Sequence, residues 1–259
     1  MNAENQPVKT VAEFVARAVG LGKDWGDEDD AASLWFRGVS KESYDLKPRL
    51  YRLDHFDEDE IRIDFERYGR QLVEAMPQDD WDWYFLMQHF GAPTRLLDWT
   101  DGALIALHFA VRSGSKRKLK GARQRTENAA VWALDPGWLN KRAFGEDYLL
   151  LKDSKEAKYY LPLRRAGRKA RPPYPIAIDP PHVARRVAVQ RGHFTIHGSE
   201  RKGLDTLCER SRSRLQKIPI AAWKIGDIRD ELVRCGISDT TVFPDLEGLG
   251  REVMYEWTS

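Results

Sequence analysis

The chain has 259 residues, 42% hydrophobic and 32% charged, with a formal net charge of +2. That balance suits one large folded domain with a sizeable core and excludes a disordered chain. Two cysteines without patterned spacing, Cys208 and Cys235, exclude a disulfide framework and point to a reducing cytosol.

The polar start, Met1 to Pro7, lacks the layout of a secretory signal, and no apolar run approaches the ~20 residues of a membrane helix. A cytoplasmic chain without a membrane partner is therefore expected. Thr10 to Glu13 has the form of a capping box, with Val11, Phe14, Val15, Ala18 and Val19 following at helical spacing. Gly20 and Gly22 are expected to end this helix before an acidic loop at 24–30. Ser33 to Gly38 reads as a short strand entering a turn, and Tyr44 to Pro48 as a second extended piece leading to Arg49 and Arg52.

A helix is predicted over 57–75, with Ile61, Phe65, Tyr68 and Leu72 on one face, and another over 81–90. Residues 91–100 read as a polar loop before a helix over 103–111, capped by Thr100 or Asp101. Ala129 to Leu134 reads as an apolar strand ended by Asp135-Pro136-Gly137. Val187 to Gln190 and Phe194 to Ile196 are predicted as paired strands, and Ile218 to Ile225 as a last strand. A helix follows over 227–235, with Ile228, Leu232 and Val233 inward. Helices gather early and strands late. The predicted class is α+β, with a mixed or mostly antiparallel sheet and helices mainly on one side.

Charge is uneven along this order. The basic stretches 112–125 and 164–171 could follow a nucleic-acid backbone or dock on an acidic partner, although solvated loops give the same pattern. Neither is interleaved with the aromatic residues of a single-strand platform. No Gly-rich phosphate loop, Ser-centred nucleophile elbow or Cys-His pairing is present.

The stretch around 91–100 gathers His89, Thr94, Arg95, Asp98 and Thr100 among aromatic neighbours. Polar groups there need one another or a ligand. Arg95 and Asp98 are ligand-facing in one reading and an internal ion pair in the other. Arg37 is a second candidate, since its planar fork matches phosphate or carboxylate oxygens, and Gly38 beside it allows a turn or a close approach. His193 and His197, four apart on a strand, would stand ~13 Å from each other, so they are read as surface or pocket-lining residues without a metal.

Trp35-Phe36-Arg37-Gly38 with Ser43 to Arg52 resembles the opening of the FRG domain, named for its Phe-Arg-Gly motif. Gln88-His89-Phe90-Gly91-Ala92-Pro93-Thr94-Arg95-Leu96-Leu97-Asp98-Trp99-Thr100 with Ala103 to Ala110 resembles its central motif. Arg186 to Thr195 and Val242 to Leu249 resemble its later segments. The resemblance implies an FRG domain over 31–259, preceded by an N-terminal helical extension over 1–30. Members occur in bacteria and phages, which implies a toxin or defence role. The order of motifs also bears a loose likeness to ADP-ribosyltransferases.

That likeness implies NAD as cofactor and a macromolecular target. Arg37, Asp98, Thr100 and Gln190 would then be catalytic, and Arg37, Gly38, Trp35, His89, Arg95, Trp99 and Phe194 would hold the cofactor. In detail, Arg37 would hold the pyrophosphate and Thr100 the ribose, while Trp35, Trp99 or Phe194 would stack on nicotinamide. Gln190 would orient the acceptor, and Asp98 or Glu247 would supply a carboxylate. The alternatives are a nuclease using His89, Asp98 and Arg95, and a non-catalytic module that senses a nucleotide or a phage protein.

Overall fold

The computed structural model of the protein describes residues 6–26, 32–112, 127–161, 171–180, 191–209 and 213–257. Seven strands form one sheet: β1 (Trp35–Val39), β2 (Leu96–Thr100), β3 (Ala129–Leu134), β4 (Leu150–Leu151), β5 (Ile176–Asp179), β6 (Gly192–Ile196) and β7 (Leu215–Ile220). Their order is β4-β5-β6-β2-β1-β3-β7, and every neighbouring pair is antiparallel except β4 with β5. The class is α+β with a mixed sheet, as the pattern of elements predicts.

Residues 96–100 correct the loop expected over 91–100. They form the central strand β2, whose Leu96, Leu97, Trp99 and Thr100 are buried and whose Asp98 is exposed. The strand escapes a periodicity reading because it has apolar groups on both faces and a single outward carboxylate.

Helices α1 (Val11–Trp25), α4 (Ala103–Val111) and α7 (Ile225–Arg234) cover one end of one sheet face. They pack their apolar residues against Phe36, Ala129, Val131, Ala133, Ile218 and Ile220. The other end of that face is covered by α2 (Glu58–Gly69) and α3 (Asp80–His89), with Trp81, Tyr84 and Met87 against Leu96, Ile176, Ile178, Phe194 and Ile196. Both groups lie on the same face. Phe36 and Thr100 are register partners, and side chains two apart along β2 share a face, so Thr100, Asp98 and Leu96 continue the surface that Phe36 begins.

The opposite face carries Trp35, Val39, Leu97, Trp99, Ala130, Trp132 and Leu134. It is covered by α5 (Pro136–Phe144), α6 (Leu204–Leu207) and the extended segment around Leu46. Two further helices, α8 (Asp239–Val242) and α9 (Leu246–Trp257), close the chain.

The ends of several elements differ from expectation for local reasons. Thr10 caps α1 by accepting from the Glu13 amide at 3.1 Å, but the helix runs through Gly20 and Gly22 to Gly26, because Gly22 is itself buried in the core. Helix α2 stops at Gly69, leaving Tyr68 and Leu72 exposed while Ile61 and Phe65 pack inward. Strand β7 spans 215–220 and gives way to a 3-10 turn at 222–224, and Val233 on α7 is exposed. The segment 44–48 joins no strand. The strand expected over 187–190 lies outside the described residues.

Two histidines are buried in this framework. His197 is inaccessible and neither ring nitrogen has a hydrogen-bond partner among the described residues, which corrects its reading as a surface or pocket-lining group. Burial, reinforced by the charge of Arg95, pushes its pKa down to about 3. His108, on α4, is pushed down to about 4 by burial, against the pull of Asp239 at 3.7 Å. Both are neutral when folded, so the unfolded chain binds more protons below its ordinary histidine value. Stability is therefore predicted to fall with pH from about 6.5 downward, by about 2 kcal/mol for each histidine between pH 7 and pH 5. Urea denaturation across that range checks this, and His108→Gln should flatten the slope by about half.

Candidate functional site

A cavity of about 830 Å³ opens between the two helical groups, over the central strands β1, β2 and β6. That is the size of a small-molecule site rather than a packing defect. Phe36, Asp98, Thr100 and Phe194 line it from the sheet, and Phe85, Gln88 and His89 from α3. Phe109 and Arg112 line it from α4 and its end, with Phe243 beside them. Asp82 on α3, His193 on β6, and Lys152 and Pro180 complete the lining, and Met76 and Pro77 precede α3.

Strands β1 and β2 pair at one position only, Phe36 with Thr100. Beyond it, the Asp98 carbonyl accepts from Arg37 Nη1 at 2.6 Å, so a side chain replaces the missing ladder bond. The same nitrogen lies 3.6 Å from Asp98 Oδ2. Nε and Nη2 of Arg37 have no partner among the described residues, and a quarter of its side chain is exposed. Burial lowers the guanidinium pKa, with Asp98 opposing, and Arg37 remains a cation.

Gly38 is fixed by packing. A Cβ there would lie 1.9 Å from the Ala106 carbonyl oxygen and 2.7 Å from the Ala110 nitrogen, both backbone atoms of α4. The glycine lets a helix seat directly on β1 and thereby sets one wall of the cavity. Gly38→Ala should cost about 1–3 kcal/mol through overpacking, read as a lower denaturation midpoint. An unchanged midpoint would show that α4 can shift freely.

Asp98 presents 59% of its side chain to solvent, and its Oδ2 accepts from Gln88 Nε2 at 2.7 Å. Thr100 faces the same space, but its hydroxyl accepts from the Gly102 amide at 3.0 Å, and Gly102 rather than Thr100 or Asp101 is the N-cap of α4. Phe194 stacks on Phe85 at 5.2 Å, and Phe85 on Trp81 at 5.3 Å, which fixes an aromatic wall.

Several groups named from the sequence lie elsewhere or turn their side chains away from the cavity. Arg95 is fully buried. Its Nε donates to Glu58 Oε1 at 2.7 Å, and its other nitrogens donate to the carbonyls of His197 and Tyr160. It pairs neither with Asp98 nor with the cavity. Trp35 stacks on His193 at 4.6 Å on the opposite sheet face, and Trp99, 3% exposed, donates to Thr195 Oγ1 at 3.0 Å on that face. Strand alternation turns both indoles away from Phe36 and Asp98, although Trp99 still borders the cavity; Arg37 has the parity of Trp35, and its guanidinium reaches Asp98 where β1 and β2 part. Arg49 and Arg52 bond to the Gly91 carbonyl and to Asp45 and the Lys47 carbonyl, outside the cavity lining. Glu247, 74% exposed, pairs with Arg251 and is also remote from it.

Gln190 and most of both basic stretches lie outside the described residues. Of the described residues at their ends, Arg112 lines the cavity and Arg171 pairs with Glu58 at 2.9 Å.

Gln88, Phe85, Asp82 and Lys152 line the cavity without having been singled out from the sequence. Lys152 bridges Asp82 at 2.6 Å and Asp79 at 2.9 Å, a contact across seventy residues that no local spacing discloses. Gln88 was legible in principle. It sits one helical turn after Phe85 and Tyr84 and opens the polar stretch that holds Asp98. His193 borders the cavity from β6, but its ring lies against Trp35 on the opposite face, with Nδ1 2.8 Å from Asp179 Oδ1. Among the described residues, no group of three or more His, Cys, Asp or Glu could hold a metal ion, and no helix is long and apolar enough to cross a membrane.

Glu58 anchors Arg95 and Arg171 together. Burial alone would raise its pKa, but the two guanidiniums outweigh that and hold it below the ordinary carboxylate value. Arg95→Met should take from Glu58 one of its two guanidinium partners and leave two backbone carbonyls without their donor, and cost about 3–5 kcal/mol, measured by equilibrium denaturation. A loss below about 1 kcal/mol would show that the network is dispensable.

No curated protein and no solved structure matches the chain. The family model of the FRG domain matches residues 32–119, the span that holds β1, α2, α3, β2 and α4 and most of the cavity wall. Those residues carry Arg37, Gly38, Gln88 and Asp98 in the arrangement just described, and over this span, about a third of the chain, the sequence matches the FRG domain.

Proposed function

We propose that the chain uses NAD as a substrate and transfers its ADP-ribose to a macromolecule, in the manner of a toxin or phage-defence effector. The observation that carries this reading is the adjacency of β1, β2 and β6 around one cavity. The sequence order of Arg37, then Asp98 and Thr100, then the start of β6 becomes neighbouring positions in space.

The residues present fit such a substrate. The cavity has room for a dinucleotide, Arg37 has N–H groups unengaged among the described residues that suit a pyrophosphate, and Phe85 and Phe194 give a flat apolar wall for a ring. In the transfer, the bond between nicotinamide and ribose C1′ breaks, and its electron pair leaves with neutral nicotinamide. A nucleophile of the acceptor bonds to C1′ and gives up its proton to solvent. Positive charge develops at the ribose during this exchange, and the Asp98 carboxylate, projecting into the cavity, would stabilise it. Thr100 stands on the same face to contact the ribose. Trp35 and Arg95 have no part in this scheme, because they point elsewhere.

The nuclease alternative required His89, Asp98 and Arg95 together, and Arg95 is committed to Glu58. The sensing alternative uses the same cavity without turnover.

The test is incubation of the protein with NAD labelled on the adenylate phosphate and a cell extract. Wild type should consume NAD and label a macromolecule, and Arg37→Ala and Asp98→Asn should each reduce the rate by about 100-fold or more. Stabilisation by NAD without consumption would replace transfer with sensing. No consumption and no stabilisation would remove NAD from the account.

A further inference from the structure

The central motif places a glutamine, a threonine and an aspartate at positions 88, 94 and 98, and the fold brings all three into one hydrogen-bonded line. Thr94 is completely buried just before β2. Its Oγ1 accepts from the Leu96 amide at 3.1 Å, and its hydroxyl donates to Gln88 Oε1.

The acceptor-only carboxylate of Asp98 fixes the sense of the Gln88 amide, and the Thr94 hydroxyl, able to donate or accept, holds the oxygen end by donating to it. Nε2 donates to Asp98 Oδ2 at 2.7 Å. An inverted amide would set an oxygen lone pair against the carboxylate. We infer that Thr94 and Gln88 are positioning residues that aim the Asp98 carboxylate into the cavity. This inference rests on the reading of Asp98 as the group facing the ribose.

The geometry supports a directed role over a generic one. Asp98 is the one exposed side chain of β2, and the strand's pairing with β6 fixes only its backbone. Arg37 holds the Asp98 carbonyl oxygen at 2.6 Å and reaches the carboxylate only as an ion pair at 3.6 Å, beyond hydrogen-bond distance. Gln88 is the group hydrogen-bonded to the carboxylate itself among the described residues. The buried hydroxyl of Thr94 thus acts on Asp98 through one intermediary. It explains why a hydroxyl stands at a position where burial alone favours valine.

The experiment compares full-length wild type with Gln88→Met, Thr94→Val and Thr94→Ser. Gln88→Met keeps the length of the side chain without its donor, and Thr94→Ser retains the hydroxyl that Thr94→Val removes. With labelled NAD, Gln88→Met and Thr94→Val should lower kcat by about 10- to 100-fold and leave KM within about twofold, with Thr94→Ser near wild type. A purely structural role would instead lower the melting temperature of all variants in step with activity.

A second readout does not depend on turnover. The two Nε2 protons of Gln88 should give separate, slowly exchanging NMR signals in wild type and Thr94→Ser, and both Thr94→Val and Asp98→Asn should perturb them. Signals indifferent to Thr94→Val, or an unchanged kcat in folded Gln88→Met, overturn the relay while Asp98→Asn tests the site itself. Wild type that consumes no NAD but shows the expected amide signals overturns the NAD reading and leaves the relay as geometry without that function.

Discussion

The guanidinium of Arg95 is the interaction on which the arrangement of the site depends. It lies at the entrance to β2 and binds at once to Glu58 on α2, to the carbonyl that follows β6 and to the 3-10 turn at 157–160. A cation without access to water must satisfy its donors inside the protein, and here each donor ties down a different element. The Tyr84 hydroxyl adds α3 to the same knot by accepting from the Arg95 amide at 2.8 Å and donating to Glu58 at 2.7 Å. The strand that leaves this knot reaches Asp98 three residues later, so the backbone that carries the carboxylate is placed by atoms that never touch the cavity.

The cavity exists because the two helical groups on one sheet face do not meet. Each brings its own core, one centred on Ala106, Leu107 and Ala110 and the other on Trp81, Tyr84 and Met87. Between them the sheet is left with an arginine, a carboxylate and aromatic rings. The ladder between β1 and β2 is shortened over this gap, and the Arg37 side chain takes up the carbonyl left without a strand partner. A group that completes the sheet and also offers further donors to the cavity serves structure and recognition together.

The sequence discloses the α+β class, most helices and the strand at 129–134, because their apolar spacing is regular. It misplaces β2, which is buried on both sides and so lacks alternation. The site shows the same division. Arg37 and Asp98 are legible as polar groups in apolar surroundings, and both line the cavity. Arg95 satisfies the same criterion and yet is internal, since a sequence does not say which of two nearby cations finds the distant Glu58. Trp35 and Trp99 fail through strand parity, because one residue's shift decides which face an indole takes. Lys152, Pro180 and Phe243 come from remote parts of the chain and have no local mark.

Gly38 separates what identifies the domain from what it does. The motif Phe36-Arg37-Gly38 combines one residue demanded by sterics with one exposed to a ligand, and the two are under different constraints. A side chain larger than hydrogen at 38 collides with the backbone of α4 whatever the cavity contains. The glycine therefore reports a seated helix, while the neighbouring arginine reports chemistry. An exchange at 37 can therefore alter what the cavity holds while α4 stays seated, whereas an exchange at 38 disturbs the wall itself.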